Sequence, residues 1–332
     1  METEVGKKRS QRFQRNKEWL EKSKKHKPLS NWERKIKNFK EGIGLEVTPV
    51  VAKSSISRSI KSNSNSNVSY TVGTSSIALG LAFHPTDDRI LAAGLVSGLL
   101  QIFRKSDEKF SCLTATKLNK TSCRGVYFHQ DKLYTIGSDG SIRIFDPETL
   151  SPIGNWQQAH HTPINLLHFM TNNLMASGDD DGYVKLWDVR ENQNNIFTFH
   201  EHATYISSFA SQDPKLLLAT SGDGVLSVYD VKKFKTFLLS ENQEEELICC
   251  RIVKRGKKVA VTTSSGNIRF FNWKQFGAIS DQFPVGQTGD YSCDILVPFH
   301  NTRSFSACSD GRIRFVTNSF HLFHSLLSTL LT

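Results

Sequence analysis

The sequence predicts an all-β propeller with six recognisable blades, preceded by a basic, partly helical extension. Three observations predict it. Glycine-centred turns recur at Gly98, Gly140, Gly182, Gly224, Gly266 and Gly311, spaced by 42 residues four times and then by 45, inside the ~40–45-residue period of a four-stranded blade. An alternating strand-like run follows every one of these turns, and two further apolar runs precede most of them.

The extension comes first. Residues 1–61 hold 17 Lys and Arg against 7 Asp and Glu, leaving 25 of each from Ser62 onward, so the whole formal net charge of +10 belongs to the N-terminal part. A neutral body with a basic arm predicts that the arm alone meets a polyanion. Lys7, Lys8 and Arg9, and then Lys24, Lys25 and Lys27, form clusters suited to nuclear import or phosphate contact. Ser30 and Glu33 have capping-box spacing, Trp32, Ile36 and Phe39 fall on one helical stripe, and Gly42 supplies a stop. A short amphipathic helix over 31–41 is predicted, with Arg34, Lys35 and Lys37 on its other face. The arm is assigned to residues 1–52 and a Ser/Asn-rich flexible linker to 53–70.

The propeller is assigned to 71–316. After the turn glycines come LLQIFR (99–104), SIRIFD (141–146), YVKLWD (183–188), VLSVYD (225–230), NIRFFN (267–272) and RIRFVT (312–317). Apolar and polar residues alternate, and the fifth position is Phe103, Phe145, Trp187, Tyr229 and Phe271 in the first five. Period-two alternation behind a turn whose glycine supplies positive φ is a hairpin signal. Runs such as ILAAG (90–94), KLYTIG (132–137), NLMASG (173–178), KLLLATSG (215–222) and KVAVTT (258–263) precede the turns, and CRGVYF, INLLHF, YISSFA and LICCRIV precede those. Three strands and a variable outer one make a blade, which buries its faces by stacking on neighbours. The pattern stops at Val316, and residues 317–332 read as an atypical tail without turn or period, which leaves open a truncated ring, a six-bladed ring closed by the segment near Val68–Val72, or a gap capped by a partner.

The six cysteines are spread without a C-x-x-C pair, which predicts reduced core thiols. No apolar run reaches the ~20 residues of a membrane span and no secretory h-region follows the first basic residues, so a soluble intracellular protein is expected. Walker A, G-x-S-x-G, H-E-x-x-H and Rossmann glycine patterns are missing from the sequence, and neither catalysis nor a cofactor is predicted. His200-Glu201-His202 resembles a metal pair, but His202 precedes Ile206 by the same interval that separates His160 from Ile164, which makes it a repeat histidine.

These units resemble WD repeats, and the third is the fullest example, with Ala159-His160, Ser177, Asp181 and Trp187-Asp188. The resemblance implies a WD40 β-propeller in which His160, Ser177, Asp181 and Trp187 form a buried hydrogen-bonded network, kept in part by His202 and Asp223 in the fourth unit. A His/Ser/Asp set within one repeat is structural and not a hydrolase triad. The segments CRGVYF, AHHTPINLL, MASGDDDGYVKLWDVR, SGDGVLSVYD, RGKKVAVTTSSGNIRFFNWKQFGAISDQF and DILVPF…ACSDGRIR further resemble the WD repeat-containing protein 55 family over about residues 77–316. That resemblance implies a scaffold of the nucleus and nucleolus, and also of the cytoplasm, and a body with a seventh repeat, so the ring here is expected to be an incomplete seven-bladed one. It implies work in ribosomal RNA processing and large-subunit assembly among pre-ribosomal proteins, and the basic arm adds an expected contact with ribosomal RNA. A different expectation attaches to Trp187-Asp188-Val189-Arg190, a W-D-x-R pattern of cullin-based ubiquitin-ligase receptors. There Trp187, Asp188 and Arg190 would meet the ubiquitin-ligase adaptor.

Overall fold

The structure, a computed structural model, describes residues 72–106, 109–118, 121–191, 194–285, 291–300 and 303–317, and the backbone of 324–327. The arm, the linker and the predicted helix lie outside the described residues. Within those residues the chain forms 24 strands and no helix.

The strands make six antiparallel four-stranded sheets. The first sheet is β1 (Ala78–Phe83), β2 (Ile90–Leu95), β3 (Leu99–Lys105) and β4 (Phe110–Lys117). In the second are β5 (Cys123–His129), β6 (Lys132–Gly137), β7 (Ile142–Phe145) and β8 (Pro152–Trp156). The third holds β9 (Ile164–Phe169), β10 (Leu174–Asp179), β11 (Tyr183–Asp188) and β12 (Asn195–His200). Next come β13 (Ile206–Ala210), β14 (Leu216–Ser221), β15 (Leu226–Asp230) and β16 (Lys235–Leu239). The fifth is built from β17 (Leu247–Val253), β18 (Lys258–Thr263), β19 (Asn267–Asn272) and β20 (Asp281–Pro284). The sixth consists of β21 (Cys293–His300), β22 (Arg303–Cys308), β23 (Ile313–Thr317) and β24 (His324–Leu327).

The periodic turns sit where the sequence puts them. All six turn glycines have φ between 71° and 85°, a region that side-chain-bearing residues rarely enter. Each joins the second strand of a sheet to the third. The C-terminal part differs from the sequence expectation, because the backbone of β24 pairs with β23, placing Ile313 opposite Leu327 and Phe315 opposite His324. An outer strand needs only backbone partners and a half-covered face, so it carries no repeat signature.

The described residues fall into two compact units. One contains the first sheet and most of the second; there Ala92, Leu100 and Ile102 of the first sheet pack with Cys123, Val126, Leu133 and Phe145 of the second. The other contains the third to sixth sheets and the turn Asp139–Ser141. Its core repeats the same positions, counted from the turn glycine. Ala176, Val184 and Leu186 of the third sheet pack with Phe209, Leu217, Ala219 and Tyr229 of the fourth. Leu218, Leu226 and Val228 then meet Cys250, Val259, Val261 and Phe271 of the fifth. Ala260, Ile268 and Phe270 in turn meet Cys293, Leu296, Cys308 and Val316 of the sixth. Strands two and three of the fourth and fifth sheets are therefore covered on both faces, which explains why their second strands read as near-continuous apolar runs. In the sixth sheet the corresponding outward residues are exposed: Phe305 by 43% and Ile313 by 50%.

Candidate functional site

The loops that enter the third and fourth sheets hold the histidines singled out from the sequence. The His160 amide donates to the Gly140 carbonyl at 3.0 Å, and a Cβ on Gly140 would stand 2.2 Å from the His160 carbonyl oxygen. Glycine is required there both by its φ of 71° and by this approach. The loop is thus clamped onto the preceding turn before its imidazole turns inward.

That imidazole forms a relay. The Trp187 indole N–H donates to Ser177 Oγ at 2.7 Å, and Ser177 Oγ lies 2.6 Å from His160 Nε2. His160 Nδ1–H donates to Asp179 Oδ2 at 2.8 Å. Burial lowers the imidazole below its usual range despite the Asp179 carboxylate, so a neutral ring accepts from Ser177 and donates to the acid. Burial raises the Asp179 carboxyl, but the hydrogen bonds from His160 and the Tyr183 amide outweigh it and hold the group below its usual range.

The acid in this relay is Asp179 and not Asp181, a correction to the sequence reading. Asp179 ends β10 with its side chain on the buried face, whereas Asp181 lies exposed in the turn. Asp181 contributes its amide, which donates to Asp179 Oδ1 at 3.1 Å, beside that of Tyr183 at 2.8 Å. Counting back one residue from the turn glycine finds the acid in the fourth repeat but misses it in the third. There His202 Nδ1 lies 3.2 Å from Asp223 Oδ2, and Nε2 lies 2.8 Å from Ser227 Oγ. Ser227 sits on the third strand and was not foreseen; Ser177 sits on the second.

Ser177, His160 and Asp179 have triad connectivity, but none is more than 1% exposed. The serine oxygen is also held by Trp187, so a substrate carbonyl has no approach to it. The arrangement locks loop to sheet. A second lock, also unforeseen, stands three residues after the turn glycine: Lys185 Nζ donates to the Ala159 carbonyl at 2.7 Å, and Arg269 Nη1 donates to the Gln243 carbonyl at 2.9 Å. The recurrence of Arg143, Lys185, Arg269 and Arg314 at that position was the available signal.

His200, Glu201 and His202 point to separate partners: His200 stacks on Tyr183 with centroids 3.9 Å apart, Glu201 Oε1 accepts from Thr236 at 2.7 Å, and His202 is in its network. Among the described residues no three His, Cys, Asp or Glu side chains are placed to hold a metal. Of the adaptor-contact candidates, Trp187 is buried and committed to Ser177, which removes it from any docking surface. Arg190 is exposed, and its guanidinium folds back on Asp188 at 2.6 and 2.9 Å, pulling that carboxyl down to about 2. Arg89 pairs with Asp87 in the same way at 3.0 Å without a W-D ending, so the D-x-R pairing is a local turn device. The polyanion-contact residues Lys7 to Lys37 lie outside the described residues.

Repeated four-stranded sheets with histidine-locked turns define a WD-repeat β-propeller scaffold. Solved structures agree: a chain of the mitotic checkpoint complex matches with a TM-score of 0.66 at 17% identity, covering 74% of this chain and 76% of that one. The computationally designed Ika8 protein matches with a TM-score of 0.62 at 18% identity over 75% and 73%. Within that class, the WDR55 family model matches residues 70–328, and the chain belongs to the WD repeat-containing protein 55 family. WD repeat-containing protein 55 of Rattus norvegicus is 39% identical over 245 residues, covering 72% of this chain and 62% of that protein. The Arabidopsis thaliana protein of the same name is 36% identical over 244 residues, with 72% and 68% covered. The chain thus spans less than two thirds of the length of the rat relative.

Proposed function

We propose that the chain is a non-enzymatic scaffold of nucleolar ribosome biogenesis, acting in ribosomal RNA processing and large-subunit assembly. Family membership supports a WD-repeat platform. The observation that carries the reading further is the charge division, with the whole net +10 in the first 61 residues and a formally neutral body behind it. A basic arm gives phosphate contacts whose affinity is salt-dependent and largely indifferent to sequence, while the propeller offers surfaces for pre-ribosomal proteins. The locked Ser177–His160–Asp179 set is consistent with a non-catalytic body.

Depletion tests the reading. Unprocessed ribosomal RNA precursors are expected to accumulate, and normal precursor levels would sink it. Deleting residues 1–45 is expected to reduce nucleolar retention and RNA association together.

A further inference from the structure

Across β21 and β22, Cys293 stands directly opposite Cys308. The next pair outward is the hydrogen-bonded one, since the Ser309 amide donates to the Ser292 carbonyl at 3.0 Å. Cys293 and Cys308 therefore form a non-hydrogen-bonded pair, in which Cα atoms approach to about 4.5 Å and side chains lie closest. The usual spacing of such pairs falls inside the ~4.4–6.8 Å range of disulfides, and a register shift between Cys293 and Ile295 lies next to this one. Both side chains project to the face packed on Cys249, Ala260, Ile268 and Phe270 of the fifth sheet.

The surroundings distinguish the two sulfurs. Ser306 Oγ lies 3.0 Å from Cys293 Sγ and 3.3 Å from Cys308 Sγ. Cys308 ends its strand at the turn and is 7% exposed, whereas Cys293 is fully buried. Arg314 lies beside Cys308; Nη1 donates to Asp310 Oδ1 at 3.0 Å, and its guanidinium sits 4.6 Å over the Tyr291 ring. The Cys293 thiol, Ser306 and Arg314 bring Cys308 below the ordinary thiol range against the effect of burial. Its partner is pushed the other way, first by the hydrogen bond with Cys308 and then by burial. Cys123 and Cys250, by contrast, are pushed up to about 12 by burial.

We propose that Cys308 and Cys293 form an oxidation site for hydrogen peroxide, with Cys308 as the attacking and Cys293 as the resolving sulfur. The Cys308 thiolate attacks one peroxide oxygen, the O–O bond breaks, and the departing hydroxide takes a proton to become water. Sulfur is oxidised by two electrons to a sulfenic acid and the peroxide is reduced. Cys293 sulfur then attacks Cys308 sulfur, the S–O bond breaks, and hydroxide leaves with the Cys293 thiol proton as a second water. The product is a cross-strand disulfide that joins β21 to β22 on the face packed against the fifth sheet.

Treating the full chain with hydrogen peroxide, followed by alkylation, non-reducing digestion and mass spectrometry, tests this. The expected product is a peptide containing Cys293 linked to one containing Cys308, lighter by two hydrogens, with Cys123, Cys249 and Cys250 alkylated. Arg314→Gln removes a cation that favours the Cys308 thiolate and is expected to slow the reaction near neutral pH. Cys293→Ser is expected to leave a Cys308 sulfenic acid that dimedone traps. The proposal is overturned if Cys308 stays reduced at a peroxide dose that oxidises the exposed Cys112, or if Cys308 is oxidised without linkage to Cys293.

Discussion

The fourth and sixth sheets share one repeat pattern and experience opposite surroundings. Each has an Asp-Gly turn, Asp223-Gly224 and Asp310-Gly311, and apolar residues at the same offsets from the glycine. In the fourth, Leu218, Leu226 and Val228 are all fully buried against the fifth sheet. In the sixth, the corresponding Phe305 and Ile313 are 43% and 50% exposed, and Phe305 stacks on Phe299 at 4.7 Å. The turn acids differ likewise, Asp223 holding His202 from the entering loop and Asp310 holding Arg314 of its own hairpin. A repeat therefore writes its strands and turn into its own sequence, while its burial is decided by the sheet beside it.

The largest expected difference lies in the turn acids. Asp223→Ala leaves the His202 imidazole buried without its acceptor and is expected to cost about 4 kcal/mol, as breaking a buried pair does. Asp310→Ala is expected to cost about 1–2 kcal/mol, because the Asp310 side chain is a quarter solvated and Arg314 keeps the Tyr291 ring. Urea midpoints of the full chain compare the two, and equal losses would break the distinction. Acid sharpens it. Burial raises the Asp223 carboxyl, but His202 and the Ala203 and Val225 amides hold it below its usual range. A depressed carboxyl contributes stability above its unfolded value of about 3.9 and loses it as pH falls through the folded one. Asp223→Asn should flatten the acid side of the stability profile below about pH 4.

Next in size is Leu226→Ala, expected to cost about 3 kcal/mol through lost burial and a residual cavity between the fourth and fifth sheets. Ile313→Ala, at the same offset in the sixth, is expected to cost under about 1 kcal/mol because its side chain is already half solvated. Thermal unfolding monitored by circular dichroism separates them. A large loss at Ile313 would mean that its face is covered in solution.

The same comparison shows what was readable beforehand. The six turn glycines, the second and third strands and the first strands of the second to fifth sheets follow from period and turn chemistry, because those constraints act within one hairpin. His160, Ser177, Trp187, His202 and Asp223 were also readable as a network. Asp179 was not: three successive acids, Asp179, Asp180 and Asp181, offer the same chemistry, and only the pleat decides which faces His160. Ser227 was missed because a hydroxyl can reach the imidazole from either central strand. The outer strands were unplaced because FSCLTATK, PIGNW, NIFTFH and DQFP share no packing role that would give them common residues. The two-cysteine pairing required register, which composition does not contain.

The smallest expected effect concerns the fifth position after the turn glycine, Tyr229 in the fourth sheet and Val316 in the sixth. Both side chains are buried, but Tyr229 carries a hydroxyl into the core with no well-formed hydrogen bond. The nearby Ser227 hydroxyl is committed to His202 at 2.8 Å. Burial first, and then the Glu201 and Asp223 charges, push the phenol far above its ordinary range against a weak opposing contact with Ser227. Tyr229→Phe removes that oxygen and keeps the ring stacked on Phe199, whose centroid is 4.3 Å away. The change should therefore lie between zero and about 1 kcal/mol of added stability. The contrast with Trp187→Phe in the third sheet is sharp, because there the lost N–H satisfies Ser177 and about 1–2 kcal/mol should go with it. A loss at Tyr229 as large as that at Trp187 would show that the fourth repeat completes its network through the phenol, and the two repeats would then be locked by one mechanism instead of two.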